Sequence, residues 1–394
     1  MIYFDNAATS FPKPPNVYEG ATRFMQTMGA NPGRGGHKLA VAANRMVEET
    51  RLELARFFNA GDTPERMIYT MNCTDGLNMA IKGLIMALHG KWTQRRPIHV
   101  ITTYLEHNSV SRPLHQLERD GLITLTKIAN SSDGFVSAED VSAALTPETR
   151  LVALTHCSNV IGTVQPIAEI GRVVRERGEG NVVFLVDAAQ TAGVEPIDVK
   201  SAHIDLLAFP GHKALLGYTG TGGLYVSPRV ELLPWREGGT GGDSKHPVQP
   251  SEFPHRLEGG THNTIGIASL KEGLAFIHKM GRENIRAHER SLGERVLDGL
   301  RAIPKLTVFG PTDMENRVST VSFRLAGYSS QDVGAILDDS FDIAVRAGLH
   351  CAPYCHQKLG TYPDGTVRAS IGYSNTGEEV DAFVEAIRKI AATG

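Results

Sequence analysis

Val182-Val183-Phe184-Leu185-Val186-Asp187-Ala188-Ala189-Gln190 and Ile204-Asp205-Leu206-Leu207-Ala208-Phe209-Pro210-Gly211-His212-Lys213 carry the reading of this chain. Each is a short apolar run closed by polar and turn residues, the pattern of a buried strand. In open α/β sheets, chemistry gathers at the carboxyl ends of such strands. The two runs therefore bring a carboxylate and an amine to one cleft.

Working outward, similar runs at 67–69, 98–102, 151–154 and 222–227 read as further strands. Helical spacing covers 40–58, the run that follows Gly76 through Leu88, and Ile167–Arg177. Strands alternating with helices predict an α/β fold, with a mostly parallel sheet and helices on both faces. The Pro- and Gly-rich stretch 234–260 has no periodic element and reads as a long functional or linking loop. Helices at 267–280, 283–302, 331–338 and 378–391 then mix with strands at 320–324 and 368–372. At 394 residues the chain exceeds one comfortable core. It reads as an N-terminal arm (1–15), a large α/β domain (16–264) and a smaller C-terminal α+β domain (265–394).

The net charge of −3 points away from nucleic acid and anionic membranes as main partners. No apolar run approaches the ~20 residues that span a bilayer. The first residues, Met1 to Asn6, lack the basic and apolar regions of a signal peptide, so a cytoplasmic protein is expected. Four cysteines in so long a chain make no disulfide framework.

An amine can form a Schiff base with an aldehyde cofactor, and a carboxylate can keep a pyridine nitrogen protonated. Lys213 and Asp187 are thus the minimum equipment for pyridoxal phosphate. Each has a plainer reading, a solvated lysine and a turn-capping aspartate. The strand before Lys213 and the Gly-rich turn 217–223 after it favour a desolvated, nucleophilic amine. Asn72-Cys73-Thr74-Asp75 opens a helical run, where phosphate binding and plain N-capping both explain Thr74. No nucleotide P-loop pattern occurs. His107 follows a strand and could stack on a flat heterocycle or be an ordinary polar histidine. Cys351 lies beside Arg346 and His350, a setting that favours thiolate, with a buried inert thiol as the alternative. His350, Cys351, Cys355 and His356 share zinc-ligand chemistry, but their spacing matches no standard finger, and no metal is expected. Arg368 suits bidentate carboxylate recognition.

The order of these signals is more specific than any one of them. Tyr3-Phe4-Asp5-Asn6-Ala7-Ala8-Thr9, Glu106-His107, His156-Cys157-Ser158-Asn159-Val160-Ile161-Gly162, Asp187-Ala188-Ala189-Gln190, Gly211-His212-Lys213, Glu258-Gly259-Gly260-Thr261-His262-Asn263, the Cys351 segment and Arg368-Ala369-Ser370 follow one another nearly end to end. In this the chain strongly resembles the cysteine desulfurases of the class V aminotransferase group, within the fold-type I pyridoxal-phosphate enzymes. The short interval from Cys351 to Arg368 is similar to the SufS-type desulfurases and selenocysteine lyases.

The resemblance implies that Lys213 carries the cofactor, Asp187 pairs with its ring nitrogen, and Gln190 bonds its phenolic oxygen. It implies that His107 stacks on the ring and that Asn159 sits near the phenolic oxygen or the substrate carboxylate. Thr74, the backbone of Cys73, and His212 would hold the phosphate. Thr261 would reach the phosphate of a partner subunit, implying a homodimer. Arg368 would bind the substrate carboxylate, with Asn6 and Asn375 nearby. Cys351 would be the nucleophile that becomes a persulfide. The implied reaction converts L-cysteine to L-alanine and passes sulfur to an acceptor protein, as in iron–sulfur cluster assembly. Selenocysteine lyase is the runner-up, followed by a C–S β-lyase or aminotransferase in which Cys351 is incidental. Three residues depart from the group's pattern. Pro210 stands where a phosphate-binding serine is usual, Leu349 replaces a histidine, and Cys355 is an extra thiol.

Overall fold

In the computed structural model, which describes residues 1–33, 36–91, 97–241 and 247–393, strand Val183–Asp187 lies at the centre of a seven-stranded sheet. The order across it is Met67–Thr70, Gly222–Val226, Leu206–Pro210, Val183–Asp187, Thr149–Thr155, Ile98–Thr103, Ile123–Ile128. Gly222–Val226 runs antiparallel to both neighbours, and the other pairings are parallel. Thr155 lies opposite Asp187, and Asp187 opposite Ala208.

The two opening runs contain no polar alternation because helices cover both faces of the sheet. Successive side chains point to opposite faces. Phe184, Val186, Leu207 and Phe209 enter one apolar cluster with Leu54, Ile170 and Leu270 from helices. Val183, Leu185, Leu206 and Ala208 enter the other with Leu77, Ile81 and Leu114. Phe184 is fully buried. Phe184→Ala should lose about 3–5 kcal/mol of stability. Urea unfolding should report this as a lower midpoint at unchanged slope.

Helix Thr264–Met280 sends Ile267, Leu270, Leu274 and Ile277 into the first of these clusters. A third cluster takes up at Leu292. It is built on a four-stranded antiparallel sheet ordered Arg346–Gly348, Thr366–Ser370, Thr320–Leu325, Leu306–Phe309. The N-terminus joins it: Ile2–Tyr3 pairs in parallel with Ile343–Ala344, and Phe4 packs edge-on against Phe383.

Strand Ile123–Ile128 and helix Asn108–Arg119 escape the sequence reading. The strand is a partly exposed sheet edge, and Pro113 interrupts the helical pattern. Arg368 sits within strand Thr366–Ser370 rather than opening it. The described part of 227–263 contains no helix or strand, as its composition predicts. No helix among the described residues is long and apolar enough to cross a membrane.

Candidate active site

Thr70, Thr103, Thr155, Asp187 and Pro210 end strands that run in the same direction. The residues that follow them therefore open on one edge of the sheet. They include Cys73, Thr74, His107, Asn159, Gln190 and Lys213.

Asp187 is buried. Its Oδ1 accepts the Ala189 N–H (2.9 Å) and the Cys73 thiol (3.4 Å). Its Oδ2 has no hydrogen-bond partner among the described residues. Burial pushes this carboxyl upward, while the Ala189 N–H, the charge of Lys213 and the Cys73 thiol oppose that. Lys213 Nζ makes no hydrogen bond or ion pair among the described residues. Burial pulls its amine down to about 8, despite the opposing influence of Cys73 and Asp187. Near physiological pH most of this amine still carries its proton, but its free-base fraction is on the order of a hundredfold that of an ordinary lysine.

His107 caps helix Asn108–Arg119. Its Nδ1 accepts the Ser109 N–H and lies 2.6 Å from Ser109 Oγ. Burial first, then the positive charge of Lys213, lowers the imidazole to about 4, so the ring is neutral. Helix Cys73–Lys91 is capped by Asn72, whose Oδ1 accepts the Asp75 N–H at 2.9 Å. Capping therefore does not need Thr74, whose Oγ1 lies 2.8 Å from Ser109 Oγ. Two hydroxyls beside the leading N–H groups of a helix make a seat for an anion.

Arg368 is almost completely buried. Its Nη2 pairs with Asp5 (2.7 Å), its Nη1 donates to Asn159 O (2.9 Å), and its Nε has no acceptor among the described residues. Cys351 is partly buried, with Arg346 Nη2 3.8 Å from its sulfur. His350 and Cys351 both adopt left-handed backbone, at φ 48° and 58°. That conformation costs roughly 1–2 kcal/mol per non-glycine residue. Two bonds hold it: Asn108 N–H to Cys351 O (2.7 Å) and Asn159 Nδ2 to His350 O (2.7 Å). The thiol loop is thus fastened to the residue after His107 and to the residue that receives Arg368.

The profile of the family described as Aminotransferase class-V matches residues 2–383. The chain belongs to this family. Among its curated relatives, the probable cysteine desulfurase of Methanothermobacter thermautotrophicus is 34% identical over 398 residues, covering 100% of this chain and 95% of the relative. The cysteine desulfurase of Shigella sonnei is 34% identical over 400 residues, covering 99% and 93%. The apo cysteine desulfurase structure from Thermococcus onnurineus superposes with a TM-score of 0.92 at 34% identity, covering 100% of this chain and 95% of that one. These likenesses agree with the fold-type I architecture expected from the sequence.

The remaining residues of this class-V chain fall into place around that core. His212 directs Nδ1 to Thr9 Oγ1 (3.0 Å), and burial, then Lys213, lowers it to about 4. Its carbonyl accepts Lys13 Nζ and the Ser10 N–H. Gln190 Nε2 donates to Ala7 O at 3.2 Å. The N-terminal arm therefore braces both loops that follow the opening strands. Asn6 and Asn375 bond to each other (3.2 Å), and Asn6 Nδ2 also reaches Ser370 O (3.0 Å). They tie the arm to the strand that carries Arg368.

Pro210 pairs with Gly222 at the sheet edge and offers neither hydroxyl nor N–H. Ser109 supplies a hydroxyl beside Thr74 that the sequence reading does not single out. Its only signal is its place two residues after His107. Asp5, the counter-ion of Arg368, is equally hidden by 363 residues of separation.

Cys355 is fully buried in the first apolar cluster, beside Ser158, and burial pushes its thiol up to about 12. It is an inert core thiol. Thr261 is exposed and lines a separate cleft with Val41, Arg51, Glu258 and His262. Its segment is anchored by Arg51, which donates to both oxygens of Glu258 (2.7 and 3.0 Å). Among the described residues, no group of three or more His, Cys, Asp or Glu is placed to hold a metal. A cleft of about 740 Å³ bordered by Arg66, Arg229 and Arg256 contains none of these site residues. Its arginines are engaged by Val230 O, Asp205 and Leu232 O.

Proposed function

We propose that this class-V chain is a pyridoxal-phosphate-dependent cysteine desulfurase that stores the released sulfur as a persulfide on Cys351. The observation that carries the reading is the fastening of the backbone beneath a partly accessible thiol, by two short hydrogen bonds to the carbonyls of His350 and Cys351, to the loops holding His107 and Asn159. Two adjacent non-glycine residues held in left-handed backbone are strain of the kind that gathers at functional sites.

The residues fit the cofactor. Asp187 has an oxygen free for a ring nitrogen, Lys213 an unbonded amine for an aldehyde, and His107 a neutral ring for stacking. Thr74, Ser109 and the start of helix Cys73–Lys91 offer donors for a phosphate. When bound, the cofactor supplies a conjugated ring that accepts the electron pair left at the substrate's α-carbon. Lys213 Nζ, as the free base, takes the α-proton. Arg368 holds the substrate carboxylate. The Cys351 thiolate attacks the substrate sulfur, forming the S–S bond as the C–S bond breaks. The pair from the broken bond remains on the β-carbon, which takes up a proton to become the methyl group of alanine, and Lys213 returns a proton to the α-carbon. L-Cysteine and the enzyme thiol thus yield L-alanine and an enzyme persulfide. This reading extends to a homodimer in which Thr261 approaches the partner's site, to a sulfur-acceptor protein and to the cytoplasm.

Mass spectrometry after exposure to L-cysteine tests the reading. It should find alanine in solution and one added sulfur on Cys351. Pyruvate instead of alanine, with Cys351 unmodified, overturns it. A second check uses the amine. Because Lys213 is lowered to about 8, the rate of cofactor uptake by the apo chain should climb as pH rises through about 8 and then level. An ordinary lysine would still be gaining reactivity near about 10.4. Stopped-flow absorbance across pH separates the two.

A further inference from the structure

Cys73 heads helix Cys73–Lys91 and is buried against Asp187, with its thiol hydrogen directed to Asp187 Oδ1. We propose that Cys73 is a positioning residue whose S–H bond to Oδ1 keeps Asp187 an ionised acceptor for the ring nitrogen of the cofactor. The proposal deepens the site reading above and rests on it. It uses the side chain of a residue whose backbone alone is expected to serve the phosphate.

Asp187 sits in a pocket that disfavours its charge, and among the described residues no cation touches it directly. Three influences oppose its protonation: the Ala189 N–H, the charge of Lys213 and the Cys73 thiol. The Lys213 contribution fades as that amine loses its proton. The two hydrogen bonds to Oδ1 do not fade. The thiol is itself pushed well above its ordinary value, foremost by burial, so it remains a donor throughout the neutral range.

The other titratable neighbours leave this role to Cys73. Glu106 is raised to about 8, and its Oε1 is occupied by Thr103 Oγ1 and the Thr155 N–H. His156 is neutral, lowered by burial to about 3, and reaches Asp187 through its backbone N–H and the Asp187 carbonyl.

A donor on Oδ1 makes the carboxylate a weaker base. The proton shared between Oδ2 and a ring nitrogen then stays on the nitrogen. Without the thiol, Asp187 competes better for that proton, and the ring becomes a poorer electron acceptor.

The test loads wild type, Cys73→Ala and Cys73→Ser with cofactor carrying ¹⁵N in the ring and follows that nitrogen by NMR against pH. In Cys73→Ala the signal should move toward unprotonated pyridine, and its midpoint should shift by about half to one pH unit, the worth of one modest hydrogen bond. Cys73→Ser keeps a donor and should restore the wild-type position. An unchanged signal in Cys73→Ala overturns the proposal. So does a shift that Cys73→Ser shares, because packing alone would then explain it. The near-isosteric pair Cys73→Val and Cys73→Thr repeats the comparison without leaving a void. Cofactor lost from Ala and Val but kept by Ser and Thr supports the role, and loss from all four overturns it. Failure of the wild type to take up the cofactor overturns the site reading instead.

Discussion

Cys351→Ala should lose persulfide formation entirely and alanine production on the order of 10³-fold, roughly 4 kcal/mol of transition-state stabilisation. The reason is specific to the position. Of the four cysteines, Cys73, Cys157 and Cys355 are buried, and only Cys351 has intermediate exposure. The buried three hold their protons, since burial raises each of their thiols. None can stand in as the attacking thiolate. Cofactor binding should survive, because Cys351 reaches the cofactor loops through its backbone carbonyl, which alanine retains. The matching control is Cys355→Ala. It removes a core sulfur and should lower stability by about 1–2 kcal/mol while leaving turnover per folded molecule unchanged. Alanine release and intact-mass measurements on both variants decide the matter. Sulfide release by Cys351→Ala at the wild-type rate would sink the assignment.

Lys213→Ala should be more severe. The substitution removes both the tether for the aldehyde and the base for the α-proton. Proton transfer alone contributes about 10²–10⁴-fold, and the two roles together should put turnover below detection. Lys13 is a nearby buried amine, also lowered to about 8 by burial, but it offers no rescue. Its Nζ is committed to Ser10 Oγ (2.7 Å) and the His212 carbonyl (2.5 Å). Lys213→Arg should fail as well, because guanidinium stays charged and supplies no free base at neutral pH. An added small primary amine should restore measurable activity to Lys213→Ala and none to Lys213→Arg, where the side chain still fills the space. Alanine production with and without the amine reads this out. Turnover by unrescued Lys213→Ala above a tenth of wild type would remove Lys213 from the chemistry.

Much of the site is legible in the chain because strand ends announce themselves. The runs before Asp187 and Lys213 are short, apolar without alternation and closed by turn residues, as a strand covered on both faces reads. The same logic marks the segments before His107 and Asn159. Edge elements are harder to read. Ile123–Ile128 is half exposed and mixes threonine and lysine with its apolar residues, and helix Asn108–Arg119 is masked by Pro113. Ser109 lies on that helix, so the chain gives no local signal for the second hydroxyl beside Thr74.

Sequence alone decided which groups this class-V chain brings to its site and in what order: the carboxylate at Asp187, the amine at Lys213, the thiol at Cys351, the guanidinium at Arg368. Residue type and position after a strand are local properties, and local properties are written in the chain. The protonation states belong to the tertiary structure. Lys213 is lowered by burial, Asp187 is steadied by Cys73 114 positions away, and the charge of buried Arg368 is supported by its ion pair with Asp5 at the far end of the chain. Cys355, four residues from Cys351, is silenced in the core while Cys351 stays accessible. Desolvation and the hydrogen bonds that offset it depend on what surrounds a group in space, and only the fold brings those surroundings together.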